Sequence, residues 1–396
     1  MKTLWHISRV LLGLVFVFSG FVKGIDPWGT AYKFTDYFNA WGMEKLSPWA
    51  LIFGMLLIVA EFSIGTALVF DAFISFFSLI VFLFIIFFTG ITFLIAISNP
   101  VSDCGCFGDA IILTNWETFC KNILLLVLAI LVFRFRNRFK PTRQSFVPVL
   151  LSGVMISAFA CLTAYSFNHL PIIDFRPYKI GTNIPEAMAI PENADRDVYK
   201  NTFVYKNKKT GKEKNFTEKN YPWQDSLNWQ FVSMNSKLIK KGYEPPVHNF
   251  IIESADGEDV KDFFLYDKGY TFILVVYNQE KADSAAMPAI KKLADYAMNH
   301  NMNFIGLTSA IAEKTERFKE KNGFSFDFFN GDEITLKTMI RSNPGLLLLQ
   351  NGTILDKWHY HDIPAPQQLE QELAKLRLKN NSFSRTGLLQ NPDIKE

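Results

Sequence analysis

The sequence predicts a membrane α-helical bundle followed by a separate α/β domain, and three observations carry that expectation. Of 39 phenylalanines, 24 fall in the first 170 residues, so the aromatic excess belongs to one region and not to the whole chain. Between Ala50 and Ser98 the only ionisable side chains are Glu61 and Asp71, in a stretch long enough to cross a bilayer twice at about 20 residues per crossing. After residue 170 the pattern turns charged and turn-rich, with strands alternating with helices. A length of 396 residues fits two or three units at roughly 150 residues each.

Composition narrows the function classes. A formal charge of +3, from 41 basic and 38 acidic side chains, lacks the cationic excess that nucleic-acid binding exploits. Four cysteines cannot build a disulfide-dense scaffold, and 49% apolar residues exclude a largely disordered chain. Membrane lipid is therefore the first expected partner, and nucleic acid is not one.

The expected spans are Trp5 to Val22, Trp49 to Phe70, Ala72 to Ile97, Trp116 to Phe133 and Phe146 to Phe167. A soluble helical core would need a polar face on each helix, which these lack. The first span stays in the mature chain on this reading, because Ser19-Gly20-Phe21-Val22-Lys23 offers no clear small-x-small cleavage site. Arg134 to Arg143 contains five basic residues and no acid, which places that loop in the cytoplasm. Counting spans then puts the N-terminus inside, the segments 23 to 48 and 98 to 115 outside, and everything after about residue 168 outside. The expected location is the cell (inner) membrane, multi-pass, with the C-terminal domain periplasmic or otherwise extracytoplasmic.

The topology gathers the cysteines. Cys104 and Cys106 lie in the outer loop Asp103-Cys104-Gly105-Cys106-Phe107-Gly108-Asp109, on a disulfide-permissive side. Thr114-x-x-Glu117 is a capping box that starts the fourth span and leaves Cys120 about one turn below the same face, while Cys161 lies near the outer end of the fifth. A C-x-C disulfide closes a small strained ring, as a labile or catalytic pair would use. A structural bridge from Cys104 or Cys106 to Cys120 or Cys161, and inert thiols, are the alternatives. Zinc on Cys104, Cys106 and His169 is weaker, since no familiar ligand spacing is present, and no metal site is assigned.

Glu61 falls near the middle of the second span, where an ionised carboxylate is costly and needs a partner. Arg9, about five residues or roughly 8 Å from the middle of the first span, is the expected one. The pair is either a structural ion pair or a proton or quinone site. Lys23 and Asp26 are interfacial anchors or face the thiol loop.

The outer half starts irregularly, with prolines at 171, 177, 185 and 191 and a hairpin of Phe203 to Lys206 and Lys214 to Thr217. Beyond it come strands at His248 to Glu253, Thr271 to Tyr277, Asn303 to Thr308, Phe324 to Phe329, Gly345 to Gln350 and Thr353 to Trp358. Helices are expected at Ala286 to His300, Ala312 to Asn322, Glu333 to Ile340 and Gln367 to Leu378. Asn351-Gly352 signals a type I′ hairpin. The βαβαββα order implies a mixed sheet covered on both faces. Ser342-Asn343-Pro344 stands where a thioredoxin fold carries its cis-proline, yet no cysteine follows Cys161. The loop after Tyr277 therefore lacks the thiols of a C-x-x-C reductase, and the domain is expected not to exchange disulfides by itself but to bind, dock or guard. The resulting division is a four-helix region at 1–140, a fifth transmembrane helix at 141–169, a linker and hairpin extension at 170–243, the α/β domain at 244–380 and a flexible tail at 381–396.

The N-terminal half resembles the DoxX and MauE group of redox-associated membrane proteins. The residues that carry the likeness are Arg9 with Gly13, Ser19 to Lys23, Glu61 with Gly65, Cys104-Gly105-Cys106-Phe107-Gly108, and Lys121-Asn122; the last two favour MauE. The region from about Glu244 to Leu378 resembles thioredoxin-like domains of the TlpA and ResA type without their paired cysteines, and together the halves resemble a Bacteroidetes-type fusion. The resemblance implies a four-helix bundle with thiols at its outer end, and disulfide formation or maturation of an extracytoplasmic partner. The expected function is thiol–disulfide exchange through Cys104 and Cys106, with Cys120, Cys161, Glu61 and Arg9 as further site candidates. A quinone is the candidate cofactor and acceptor, an extracytoplasmic client the partner, and the C-terminal domain its docking module. A non-enzymatic membrane assembly factor or scaffold with structural cysteines is the alternative.

Overall fold

The computed structural model describes residues 1–101, 103–139, 146–240 and 242–375. The end of the basic loop, including Lys140 and Arg143, and the tail from 381 lie outside the described residues. Among the described residues, five helices are long and apolar enough to cross a membrane. They are α1 (Lys2–Ile25), α3 (Ala50–Phe70), α4 (Ile74–Ser98), α5 (Asn115–Phe139) and α6 (Phe146–Asn168), with α2 (Pro27–Ala40) lying between the first two.

Segment 23 to 48, expected as a loop, is largely helical. Asp26 caps α2 by accepting from the Gly29 N–H at 2.8 Å, and Pro27 occupies the first helical position, where its missing N–H costs nothing. A short 3₁₀ turn, Glu44–Trp49, leads into α3.

The register of α1 against α3 is set by close backbone approach. A Cβ on Gly65 would stand 2.5 Å from the Val17 backbone nitrogen, and one on Gly20 2.8 Å from that of Phe62. Gly13 meets Val69 in the same antiparallel register. That register places Glu61 opposite Phe21 and brings Arg9 to the turn after α3. The expected Arg9–Glu61 pair therefore does not form: at 1.5 Å per residue, the twelve residues from Arg9 to Phe21 span roughly 18 Å. Arg9 pairs instead with Asp71 at 2.8 Å.

Residues up to Thr182 together with those from Ile251 form one compact unit, and Asn183–Phe250 form a second. The second holds α7 (Ile184–Met188) and a three-stranded antiparallel sheet of β1 (Val198–Asn207), β2 (Glu213–Thr217) and β3 (Trp229–Lys240), in the order β2-β1-β3. The hairpin is as expected, and β3 is an addition to it. Tyr205 and Phe216 are buried and meet edge to face at 5.8 Å.

The α/β region follows with α8 (Lys261–Leu265), β4 (Tyr270–Val276), α9 (Met287–Asn299), β5 (Asn303–Thr308), α10 (Ala312–Asn322), β6 (Phe328–Asn330), α11 (Glu333–Met339), β7 (Gly345–Gln350), β8 (Thr353–His359) and a helix at 366–375, here α12. The sheet order is β6-β5-β4-β7-β8, with β4, β5 and β6 parallel and β7 antiparallel to both β4 and β8. A central parallel core with an antiparallel hairpin edge and a cis Asn343-Pro344 peptide before β7 is a thioredoxin-like arrangement. Every residue of β4 is buried, as a strand covered on both faces requires. Phe272, Leu274 and Ile290 from β4 and α9 are wholly inaccessible, each contributing roughly 1.5–3 kcal/mol by burial.

Two expectations change here. His248 to Glu253 is no strand: Glu253 makes only isolated bridges to Asp259 and Asn330. Phe324 and Phe326 precede β6 and pack their rings into the sheet's aromatic core, leaving only three residues to pair.

Candidate functional site

The loop between α4 and α5 is pinned at both ends. At its start, Asn115 donates to Asn99 Oδ1 at 2.7 Å and to the Val101 carbonyl at 2.8 Å. At its end the capping box forms as expected: Glu117 accepts from the Thr114 N–H at 2.9 Å while the Glu117 N–H donates to Thr114 Oγ1 at 3.3 Å. Within it, Asp103 accepts from the Gly105 N–H at 2.9 Å and pairs with Lys33 of α2 at 2.6 Å. Gly105 has φ +64, a left-handed turn that a side chain would strain, and this turn folds the two cysteines onto each other. Their sulfurs are 3.1 Å apart, and all four cysteines are unbridged.

The backbone of the pair is gripped from the bundle. Tyr37 of α2 donates to the Cys104 carbonyl at 3.0 Å. Ser19 donates to the Cys106 carbonyl at 2.8 Å, and Lys23 Nζ reaches the same oxygen. Ser19 and Lys23 stand one helical turn apart on α1, so both face the loop. Lys23 also donates to both carboxylate oxygens of Glu61, at 3.0 and 2.8 Å, and to Ser19 Oγ at 2.7 Å. Glu61 thus finds its cation on α1 as expected, but that cation is Lys23.

The two thiols differ electrostatically. The hydrogen bond from the Cys104 thiol pulls the Cys106 thiol below its ordinary pKa, and Lys121 and Lys23 add to this against the cost of burial. The same hydrogen bond, together with burial, pushes Cys104 up. Burial and the neighbouring thiols likewise raise Tyr37, which stays a hydrogen-bond donor at neutral pH. Lys121 sits over the Phe107 ring at 4.4 Å and holds positive charge beside the pair.

Below the loop, a cavity of about 700 Å³ reaches from Cys104 and Cys106 past Lys23 and Glu61 to apolar side chains of α3 and α4. The thioredoxin-like region supplies its other wall. Arg341, two residues before the cis Asn343-Pro344 peptide, donates from Nε to both carboxylate oxygens of Asp26, at 3.1 and 2.9 Å, and lies 3.4 Å from Asp109. Burial works against its charge, but Asp26 and Asp109 outweigh that and raise its pKa. Tyr277, at the end of β4, meets Tyr32 of α2 hydroxyl to hydroxyl at 3.0 Å. Asn343 donates to the Asn278 carbonyl, joining the cis-proline turn to the loop where a C-x-x-C would stand.

The family model for methylamine utilisation protein MauE matches residues 1–135. The N-terminal region is similar to MauE over these residues. A second model, a domain of unknown function (DUF8463), matches residues 199–241, which cover the three-stranded sheet. Among solved structures, StoA from Bacillus subtilis is 15% identical with a TM-score of 0.24, over 31% of this chain and 93% of that one. No curated protein matches. With five helices among the described residues long and apolar enough to cross a membrane, the chain is a multi-pass membrane protein whose N-terminal region is similar to MauE, and its C-terminal sheet order is thioredoxin-like.

The MauE-like domain brings together Cys104, Cys106 and Glu61 of the sequence-expected site. Arg9 is absent from it, being held at the other end of the bundle by Asp71. Cys120 and Cys161 are exposed on α5 and α6, and neither lines the cavity, because their helix faces turn outward. His169 bonds Asp362 at 2.8 Å and not the thiols. Lys33, Tyr37 and Arg341 were not anticipated. Asp26-Pro27 signals the start of the helix that carries the first two, whereas nothing local marks Arg341.

Proposed function

We propose that the protein is an integral membrane thiol–disulfide redox protein whose Cys104–Cys106 pair exchanges with thiols of an extracytoplasmic partner. The observation that carries this reading is the pair itself: two sulfurs 3.1 Å apart, unbridged, with positive charge beside Cys106. In the oxidised form, a client thiolate attacks Cys104 Sγ and Cys106 departs as the better-stabilised thiolate, since a lower-pKa thiol leaves faster. The client's second thiolate then closes the client disulfide and releases Cys104. One disulfide breaks and one forms, and the loop ends as a dithiol.

On this reading the thioredoxin-like domain guards the site. Its cis-proline edge is occupied by α2 through Arg341 and Tyr277, so a client meets the thiols only when that edge lifts. The orientation is read from the basic run around Arg134, Arg136 and Arg138, which supports a cytoplasmic N-terminus and an outer thiol loop. A reporter fused after Glu396 should be extracytoplasmic; a cytoplasmic reporter would overturn the assignment of compartment. The exchange itself is tested with Cys106→Ser, which leaves Cys104 able to hold a client as a mixed disulfide. Recovery of that species by mass spectrometry supports exchange. Full function of Cys106→Ser at the parent protein level would instead favour a scaffold.

A further inference from the structure

The second compact unit, Asn183–Phe250, carries a charged surface that thiol exchange does not use. Between residues 206 and 219 the sequence has six lysines against two acids, Glu213 and Glu218, and all six lysines are exposed. Lys206, Lys208, Lys209 and Lys212 gather at the tip where β1 turns into β2. The Asn207 N–H donates to the Lys212 carbonyl at 2.9 Å, and the Gly211 N–H to the Asn207 carbonyl at 2.8 Å, which closes that turn.

The loop from β2 to β3 returns to the same tip. The Lys208 N–H donates to the Asn228 carbonyl at 2.8 Å, and Trp229 stands opposite Asn207 in the register of β1 with β3. Tyr221 of the loop stacks on Phe203 at 4.4 Å, while Trp229 meets the buried Phe216 edge to face at 5.1 Å, so the aromatic core of the unit anchors the loop on both sides. Between these anchors, Trp223 and Leu227 are 65% and 86% exposed. An ordered loop that holds an indole and a branched alkyl chain out beside clustered lysines has the make-up of an interfacial surface. The ammonium groups suit lipid phosphates, and the apolar side chains suit the zone just beneath them.

We propose that this tip, the β1–β2 lysines with Trp223 and Leu227, docks on an anionic lipid surface. An acidic peptide would answer the lysines and leave the two apolar side chains in water, whereas a bilayer answers both. The chain is membrane-spanning, so such a surface is always at high effective concentration and a modest affinity suffices. Each lysine brought to the headgroups strengthens the contact about fivefold. This inference is independent of the chemistry at Cys104 and Cys106.

The test uses the full chain held in phosphatidylcholine nanodiscs, with empty discs as the blank. The discs are mixed with sedimentable vesicles, either of phosphatidylcholine alone or of equimolar phosphatidylcholine and phosphatidylglycerol. The discs should sediment with the anionic vesicles and not with the neutral ones, and should be released at about 1 M salt, where the Debye length is about 3 Å. Lys208→Gln, Lys209→Gln and Lys212→Gln together should weaken the association roughly a hundredfold. All three side chains are exposed, so the change spares the aromatic core, and release of the parent chain by salt is a reading that needs no variant. Leu227→Ser should weaken the association about fivefold and leave its salt dependence unchanged. Equal sedimentation with both kinds of vesicle, or parent-like association of the triple variant, overturns the proposal. Retention on polyglutamate beads without association with anionic vesicles, or unaltered association in both Trp223→Ser and Leu227→Ser, overturns the lipid surface in favour of an acidic protein partner.

Discussion

Among the described residues, a cation–carboxylate pair joins α1 to the rest of the bundle near each end, and the two pairs are built differently. Arg9–Asp71 closes to 2.8 Å, and the Asp71 side chain keeps 27% of its surface accessible. Lys23–Glu61 is closed to 5% and 8%, uses both carboxylate oxygens, and extends its hydrogen bonds into the cysteine loop. The first ties a helix end to a turn. The second ties the bundle to the backbone of the cysteine loop, and its burial has a cost that apolar residues of similar volume would avoid. A buried pair in that position makes sense where its charge is used.

Removing one partner should separate the two most strongly. Lys23→Met leaves Glu61 buried without its cation and should lower stability by about 3–5 kcal/mol, read as thermal unfolding in detergent. Arg9→Met leaves a carboxylate that water reaches, and should cost no more than about 1–2 kcal/mol in the same assay. The double variant Lys23→Met with Glu61→Leu removes both charges and should recover most of the lost stability while the loop thiols lose their bias, separating folding from chemistry. Equal losses from Lys23→Met and Arg9→Met would remove the distinction between the pairs.

The next contrast concerns the roof over the loop end. Arg341→Ala frees the cis-proline edge from Asp26 and Asp109, so alkylation of Cys104 and Cys106 should speed up several-fold, about what 1 kcal/mol of easier opening gives. Cys120 and Cys161, outside the roof, should keep their parent rates. A smaller effect separates the two loop thiols by pH. Because its pKa is lowered, Cys106 remains thiolate as pH falls below the ordinary thiol value of about 8.5, where Cys104 is protonated. Iodoacetamide at neutral pH should therefore label Cys106 first, and Lys23→Met should narrow the difference. Preferential labelling of Cys104 would reverse the assigned roles.

Much of this was legible in the chain. The apolar runs located the spans because lipid forbids a polar helix face, and Asn351-Gly352 located the β7–β8 hairpin because both residues take positive φ. The cysteine loop and Glu61 stood out as polar chemistry beside apolar helices. Lys23 was visible but not assignable: its partner depends on which glycines of α1 and α3 meet, a register that no local pattern encodes. Helix α2 lay hidden in a segment too polar to be a span, although Asp26-Pro27 marked its start. The contact between Arg341 and Asp26 joins positions 315 apart and leaves no trace in either neighbourhood.

The central claim, that Cys104 and Cys106 work as an exchanging pair, is tested most directly by acid-quenched thiol trapping in intact cells, followed by mass spectrometry of the loop peptide. The account predicts that the 104–106 peptide is found as both dithiol and internal disulfide, and that Cys106→Ser carries a partner on Cys104. A loop found only bridged to Cys120 or Cys161, with no mixed disulfide in the variant, would contradict it.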